Sequence, residues 1–487
     1  MKTFKVDRRI FLKVTGGISI GLLIGFKIQG CSKPTGMAES KSGVFQPNAW
    51  VNISPDNIVT VTVAQSEMGQ GIMTSLPMLV AEELEVEWTK IRVERAPNSP
   101  EYGYQVTEGS NSIRNGWKHY RQVGAIAREM LISAAANKWG VQRSECRAKS
   151  HTIVHTTSGK QLSYGELAIV AAKLPIPAKA SLKDSKNFKI IGKSTLSLDI
   201  PIKVNGEAVF GCDIKLDNLL IATITHCPVF GGKLISIDDS ETKKITGVRH
   251  VIRIQNSVAV IADNFWAANK GNQLLKLKWD NAGNKLVNTA SISQQLKAAS
   301  EDIGKEISKT GDLKNARREA NKIVKAVYEA PFEAHATMEP MNCTAYVRDG
   351  ECDVWVPTQS PSSAESIASK YVFSKTQLIL HKLKAKLIGT GLGKIRIHTT
   401  FLGGGFGRRL EQDYVAEAVQ ISKVIGKPIK LIWTREEDIQ HDFYRPATYH
   451  TLEGGLDKSG KPIMWHHRVV GPAKGKPYEG QSSECKY

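Results

Sequence analysis

Between positions 49 and 71 the chain alternates. In AWVNISPDNIVTVTVAQSEMGQG apolar and polar residues exchange with the period of two that a half-buried strand requires, and Pro55, Asp56 and Asn57 interrupt the pattern as a turn. A strand pair is predicted there. The period then lengthens: Leu76, Leu79, Val80, Glu83 and Leu84 in GIMTSLPMLVAEELEV share one helical face, WTKIRVERAP returns to a strand, and GWKHYRQVGAIAREMLISAAANKWG is the longest amphipathic helix, stopped by Gly140. From about 201 the pattern becomes short strands, AVFGCDI, LLIATITHCP, VRHVIRI and SVAVIAD, followed by a helix and a last strand in NFWAANKGNQLLKLKWD. Further on, ECDVWVPTQ, KIRIHTT and IKLIWT read as strands, with helices after Ser362 and after Glu411.

These periods predict an α+β fold without internal repeats. They divide the chain into a leader (1–31), a linker (32–47), a first block (48–200) that ends in a Lys-, Pro- and Ser-rich stretch from 173, a small domain of short strands (201–285), a polar connector (286–320), a third block (321–470) and a tail (471–487).

Composition changes this picture little. The 487 residues are 41% hydrophobic, enough for a substantial core. The net charge of +19 comes from lysines scattered singly, without a basic helix carrying interleaved aromatics, and no nucleic-acid partner is expected. The seven cysteines contain no C-x-x-C pair and no close triplet, so no iron–sulfur cluster or structural zinc is expected in this chain. A disulfide between Cys343 and Cys352 is open on spacing alone. The leader reads as an address: DRRIFLKVTGG, with Arg8-Arg9 before Phe11-Leu12, precedes the short apolar run ISIGLLIGF and resembles a twin-arginine export signal, which predicts a periplasmic location. In IQGCS, Cys31 reads either as a lipoprotein anchor site or as an incidental residue of an ordinary cleaved signal.

The stretch FLGGGFGRRLEQDYVAEAV places four glycines in five positions between a predicted strand and a predicted helix. Backbone N–H groups and a helix N-terminus meeting at one point suit an anionic or strongly hydrogen-bonding group. Neither the phosphate-loop pattern nor G-x-G-x-x-G fits, since Arg408 occupies the last position. Taken alone, a tight turn using glycine for positive φ explains the stretch equally well.

It does not stand alone. EMGQG, FEAHATMEPMNCTAYV, VWVPTQSP, FLGGGFGRR and GVRHVIRIQNSVAVIADNFWAANKG occur together. The combination resembles the molybdenum-binding large subunit of the xanthine dehydrogenase and aldehyde oxidase family, closest to the isoquinoline 1-oxidoreductase beta-subunit type, over about 49 to 470. The resemblance implies that 201–285 is a hammerhead domain between molybdopterin-binding segments. It implies a molybdopterin cofactor, with the cytosine dinucleotide form as the expectation, whose dithiolene holds the molybdenum; no protein ligand to the metal is therefore expected, and no His/Cys/Asp ligand cluster is visible in the sequence.

By the same resemblance Gly404, Gly405, Phe406 and Gly407 approach the molybdenum end of the cofactor and Arg408 serves phosphates together with Arg409. Gly69, Gln70 and Gly71 form a second pterin-contacting turn, in which Gln70 is alternatively a mere turn residue. Ser110 and Ser112 lie near the nucleotide, Gln359 ends the TQ strand, and His335 and Glu339 match an H-x-x-x-E stretch with either a hydrogen-bonding or a direct role. The implied reaction is hydroxylation of an N-heteroaromatic or aldehyde with water-derived oxygen, the electrons leaving to a small [2Fe-2S] subunit. Glu333 replaces a glutamine common in relatives, and Leu410 stands where xanthine-type enzymes carry a carboxylate, so xanthine is a poor substrate candidate. The family's general-base glutamate in a G-x-G-E setting has no counterpart here. The expectation is a C-terminally truncated chain that is either completed by a second chain or is an inactive fragment that binds only cofactor or partner.

Overall fold

The computed structural model describes residues 22–25, 49–348, 351–374 and 395–472. The Arg8-Arg9 motif, Cys31 and the tail from 473 lie outside the described residues. The chain forms two units, one from Met1–Asn218 with Asn342–Pro428, the other from Leu219–Met341 with Ile429–Tyr487. Among the described residues no helix is long and apolar enough to cross a membrane.

In the first unit the predicted strand pair is present. Ala49–Ile53 and Val59–Val63 run antiparallel, Ile91–Arg95 lies parallel to Val59–Val63, and Leu22–Gly25 pairs on the other edge. The inward residues Val59, Val61 and Val63 are fully buried, as their alternation requires. Helices Ile72–Leu84 and Asn111–Trp139 pack against this sheet and against each other. Their close crossing has a local cause: a Cβ on Gly124 would stand 2.6 Å from the carbonyl of Val80, and one on Gly116 would stand 2.9 Å from Leu76 Cδ2. Glycine on the long helix admits Leu76 and Val80 of the short one, each fully buried and worth about 1.5–3 kcal/mol of apolar burial. Gly140 closes the long helix in the left-handed conformation, as predicted.

The Lys-, Pro- and Ser-rich stretch from 173 is a strap tied to the last turn of the 72–84 helix. Glu82 Oε2 accepts from the backbone N–H groups of Lys189, Ile190 and Ile191 at 2.9, 2.7 and 3.0 Å. Glu83 accepts from Lys183 N at 3.0 Å and pairs with Arg121 at 2.7 Å and Arg128 at 3.3 Å. Both glutamate side chains are inaccessible to solvent. Carboxylates at this end of a helix oppose its dipole; the arginines, Lys183 and the strap's amides offset that cost.

The first unit also holds Asn342–Arg348 and Glu351–Val356 in an antiparallel pair, Ile395–Thr399 parallel to the latter, and helices Pro361–Val372 and Asp413–Ile425. Register rules out a Cys343–Cys352 disulfide. Val347 faces Cys352 and Thr344 faces Trp355, so the two cysteines sit four residues out of register, roughly 13 Å along the strands at about 3.4 Å per residue. Both are free and buried.

AVFGCDI, expected as a strand, makes only an isolated bridge between Phe210 and Phe401 and then a 3₁₀ turn at Gly211–Asp213. A side chain at Gly211 would collide with Asn342 Oδ1 at 2.2 Å, and the Asp213 carboxylate takes the N–H of Phe210 at 3.0 Å that a strand would need.

In the second unit Val248–Ile254, Ser257–Ala262 and Leu220–Thr225 form an antiparallel run, and Ile429–Ile432 lies parallel to the last. Helix Phe265–Gln273 and strand Lys276–Asp280 follow as predicted, the strand pairing with Lys233–Asp238, which the sequence pattern does not reveal. A second antiparallel sheet joins Lys322–Ala330, Thr448–Leu456 and Pro462–Val470. The connector is more ordered than its polarity suggests: helix Thr289–Ala299 buries Leu296 against Tyr449 and Val470 of that sheet and Ala447 just before it.

Candidate functional site

Four loops of the first unit meet at one place, and they carry the residues singled out in the sequence. The first, Ala64–Gly71, leads from strand 59–63 into helix 72–84. Its conformation is set by Glu67, buried to 1% exposure. The Glu67 carboxylate accepts from Gly69 N at 2.8 Å, Gly71 N at 3.2 Å and Met73 N at 3.0 Å, so one side chain caps the helix and folds the glycine turn. Gln70 is spent inside the same turn, accepting from Met68 N at 2.8 Å and donating to the carbonyl of Ser66 at 2.9 Å. A Cβ on Gly69 or Gly71 would meet nothing within 4 Å, which leaves the outer face of the turn open.

The second loop, Thr107–Ser112, enters the 29-residue helix with Gly109 and Ser110 both left-handed. Ser110 is exposed, and its hydroxyl and that of Ser112 have no partner among the described residues, so this helix N-terminus presents free donors. The third loop, Thr358–Ser360, supplies the clamp. Gln359 is buried, donates through Nε2 to the carbonyl of Thr107 at 2.8 Å, and accepts through Oε1 from Gly407 N at 3.0 Å. Ser66 Oγ donates to the carbonyl of Thr358 at 2.8 Å, and Ser66 N donates to Thr107 Oγ1 at 2.8 Å, which closes the ring of loops.

The glycine loop is the fourth. Leu402 N donates to the carbonyl of Glu67 at 3.3 Å. A Cβ on Gly405 would stand 2.6 Å from Gln359 Oε1 and 2.7 Å from Met68 Sδ, so this glycine is required by close approach of the protein to itself. Gly404 and Gly407 have φ of 94° and 111°, which favour glycine. Phe406 adopts φ 55° and is 69% exposed, an unusual placement for a large aromatic side chain. The N–H groups of Gly404, Gly405 and Phe406 find no acceptor among the described residues. Three consecutive amides without an acceptor suit an anionic or carbonyl group.

The two arginines behind the loop point into protein. Arg408 is 1% exposed and forms a bidentate pair with Asp413 at 2.9 and 2.8 Å; Arg409 is fully buried and donates to the carbonyls of Gly404 at 2.8 Å and Pro357 at 3.2 Å. A 3₁₀ turn, Arg408–Leu410, intervenes before the helix that starts at Asp413, so that helix does not begin directly at the glycines. Arg95 ties strand 91–95 to the same region, donating to the carbonyls of Thr399 and Thr400 beneath the ring of Phe401. Burial pushes its guanidinium down to about 10, with Glu67 acting in the opposite direction. A cavity of about 720 Å³, lined by Arg95, Asp199, Val209, Trp355, His398 and Phe401 among others, adjoins this junction.

The structure thus brings Gly69–Gly71, Ser110, Ser112, Gln359 and Gly404–Arg408 into one cluster. Gln70, Gln359, Arg408 and the N–H groups of Gly69, Gly71 and Gly407 are engaged with protein; the N–H groups of Gly404, Gly405 and Phe406 have no acceptor among the described residues, Phe406 and Ser110 are exposed, and Ser112 is half-buried. Glu67 and Thr107 organise the cluster and were not singled out, whereas Arg409, expected beside phosphates, donates to the carbonyls of Gly404 and Pro357; Glu67 had a signal in its own motif, a carboxylate just before a glycine turn and a helix. His335 and Glu339 lie in the second unit, where His335 Nδ1 meets the buried Asp442 carboxylate at 2.9 Å. The donors of the loop cluster are amides and hydroxyls, which suit pterin and phosphate oxygens and leave direct metal coordination to another group. A molybdopterin fits this donor set: Gly404–Phe406 and the 69–71 turn would hold its pterin end and the Ser110–Ser112 helix start its phosphates.

Comparison with known proteins agrees with this geometry. Two models described as molybdopterin cofactor-binding domain match residues 11–214 and 297–473, together more than three quarters of the chain. The chain is 31% identical over 94% of its length to a membrane-bound aldehyde dehydrogenase [pyrroloquinoline-quinone] of Gluconacetobacter polyoxogenes, covering 59% of that protein. It is 27% identical over 96% of its length to isoquinoline 1-oxidoreductase subunit beta of Brevundimonas diminuta, covering 64% of it. The chain therefore spans about three fifths of the length of these relatives. Among solved structures, the aldehyde oxidoreductase from Desulfovibrio gigas superposes with a TM-score of 0.42 at 16% identity, over 56% of this chain and 34% of that one. On the family models and these relatives, the chain belongs to the molybdopterin cofactor-binding subunits of the molybdenum hydroxylase family, alongside isoquinoline 1-oxidoreductase subunit beta.

Proposed function

We propose that this chain is the cofactor-holding part of an exported molybdenum hydroxylase that oxidises an N-heteroaromatic compound or an aldehyde and passes the electrons to a small [2Fe-2S] subunit. The observation that carries the reading is the ring of four loops in the first unit, which leaves three consecutive glycine-loop amides without an acceptor among the described residues beside an uncapped helix start. When bound, a molybdenum cofactor supplies two-electron oxidation of a carbon centre with oxygen from water. The chain's own residues do the holding. Glu67 and Gln359 fix the loops from behind, the amides of Gly404, Gly405 and Phe406 donate to the cofactor's anionic or carbonyl groups, and Phe406 shields one side of it from solvent. At the start of the long helix, Ser110 and Ser112 receive the phosphates of a cytosine dinucleotide tail.

Oxidation of heteroaromatics and aldehydes is favoured because the relatives' names point to those two classes. Export rests on Arg8-Arg9 and the apolar run behind them; replacing both arginines with lysine should leave the precursor in the cytoplasm, and continued export would remove the twin-arginine reading.

The test is the composition of the protein purified from its native host. Molybdenum near one atom per chain, with an oxidised pterin released on denaturation, is the expected result. Pyrroloquinoline quinone in place of molybdenum and pterin would overturn the cofactor assignment. Cofactor retention without turnover of quinoline, isoquinoline or aldehyde, in the presence of an iron–sulfur subunit, would keep the binding role and remove the catalytic one.

A further inference from the structure

In the second unit two imidazoles and a carboxylate converge. His226 follows strand Leu220–Thr225 directly. Glu437 and His441 stand four residues apart on one turn, Glu437 in the helix Arg435–Gln440 and His441 just past its end, where His441 N still donates to the carbonyl of Glu437 at 3.0 Å. Thr434 fixes the start of that helix, its hydroxyl accepting from Glu437 N at 3.2 Å. One atom, Glu437 Oε2, then receives His226 Nδ1 at 2.8 Å, His226 N at 3.3 Å and His441 Nε2 at 3.3 Å. The ligand-type atoms of the three side chains all lie within 4.8 Å of one another. Their side chains are 18%, 12% and 11% exposed, which shelters the cluster while leaving it reachable from solvent. Trp433 lies 4.6 Å from the ring of His226 and Phe230 6.3 Å from that of His441, so aromatic walls flank the imidazoles.

We propose that His226, Glu437 and His441 bind a divalent transition-metal cation of the zinc class. Two ring nitrogens can share one carboxylate oxygen only if each carries a proton. With those nitrogens deprotonated, their lone pairs and the carboxylate point at a common position, and a cation there makes three bonds of about 2.0–2.2 Å. Imidazole donors select zinc-type ions over calcium or magnesium. Three protein ligands leave a fourth position for water, and one carboxylate neutralises half the ion's charge. The ligands come from segments more than two hundred residues apart in the chain, so the ion acts as a staple within the second unit, and its binding is linked to folding. The proposal is independent of the molybdopterin reading.

The untagged full-length protein, stripped of metal, is titrated with Zn²⁺ against a chromophoric chelator and separately with Co²⁺. One equivalent per chain is expected, with the visible absorption of four-coordinate cobalt and a Zn²⁺-dependent rise in Tm. Changes in outer-shell partners alone cost 10–100-fold in metal affinity, so His226→Ala and His441→Ala should each lose at least about 100-fold. Glu437→Gln, which keeps the shape and a hydrogen-bonding oxygen, should lose the site as well. His450→Ala alters the surface pair in which His450 Nδ1 meets His467 Nε2 at 2.9 Å, and it should bind as the unaltered protein does. Circular dichroism confirms that each variant is folded. No stoichiometric binding by the unaltered protein, undiminished binding in folded His226→Ala and His441→Ala, or loss only in His450→Ala would each overturn the proposal.

Discussion

The helix Ile72–Leu84 has a polar cluster at each end, and the two are built on opposite plans. At its C-terminal end Glu82 and Glu83 are sealed from solvent, and their oxygens are used by arginines, Lys183 and strap amides. At its N-terminal end Glu67 is sealed in the same way, yet the loops it organises leave the amides of Gly404, Gly405 and Phe406 without an acceptor among the described residues and the Phe406 side chain exposed. Closed networks hold a fold, and donors left open on a rigid frame are what a ligand needs. Breaking the first should cost stability and spare cofactor; altering the outward part of the second should do the reverse.

The largest expected effect is Glu83→Gln. It leaves Arg121 and Arg128, 11% and 13% exposed, without their carboxylate, and stability to urea should fall by about 3–5 kcal/mol. An unchanged denaturation midpoint would show that the strap is held by packing alone. Glu82 gives the same network a pH signature. Burial raises its carboxyl, but Lys183 and the N–H groups of Ile190 and Ile191 outweigh burial and hold it below the ordinary glutamate value. The unfolded chain therefore takes up this proton at higher pH than the native one. The contribution is complete above the unfolded value of about 4.3 and is lost as pH falls through the lower native value. Urea midpoints measured from pH 6 downward should decline along this limb, and Glu82→Gln should flatten it.

Next in size is Gly405→Ala, whose added carbon meets Gln359 and Met68. Overpacking should cost about 2 kcal/mol and also move the clamp between the loops, so stability and molybdenum content should drop together. The smallest effect carries the opposite sign. Phe406→Gly relieves a left-handed aromatic residue and should raise stability by at most about 1 kcal/mol, while the purified protein retains less cofactor. Higher stability with full cofactor content would mean that Phe406 faces solvent for no ligand's sake.

How much of this could be read in advance depended on whether the signal was local. The 49–53 and 59–63 strands, the helices 72–84 and 111–139 and the contiguous motifs EMGQG and FLGGGFGRR are patterns within a few residues, and they were legible. The inward orientation of Arg408 and Arg409 was not, because it depends on Asp413 and on carbonyls at Gly404 and Pro357 that only the folded loop brings near. AVFGCDI has strand composition, but Asp213 takes the N–H of Phe210 and the segment turns at Gly211–Asp213. Glu83 was visible as a charge on an apolar helical face, yet its partner stretch, rich in lysine and proline, read as a linker. The cluster of His226, Glu437 and His441 has no compact motif, since its members come from distant segments.

The strap has a practical consequence for anyone dividing this protein into pieces. By composition, 173–200 invites a cut, and its lysines invite trypsin. Removing it would strip from Glu82 and Glu83 the amides and the ammonium that neutralise them, and would leave two carboxylates enclosed at the crossing of the principal helices. A fragment ending before 173 should therefore be insoluble when expressed alone, whereas in the intact chain Lys183, tied to Glu82 and Glu85, should resist trypsin far longer than the exposed Lys186.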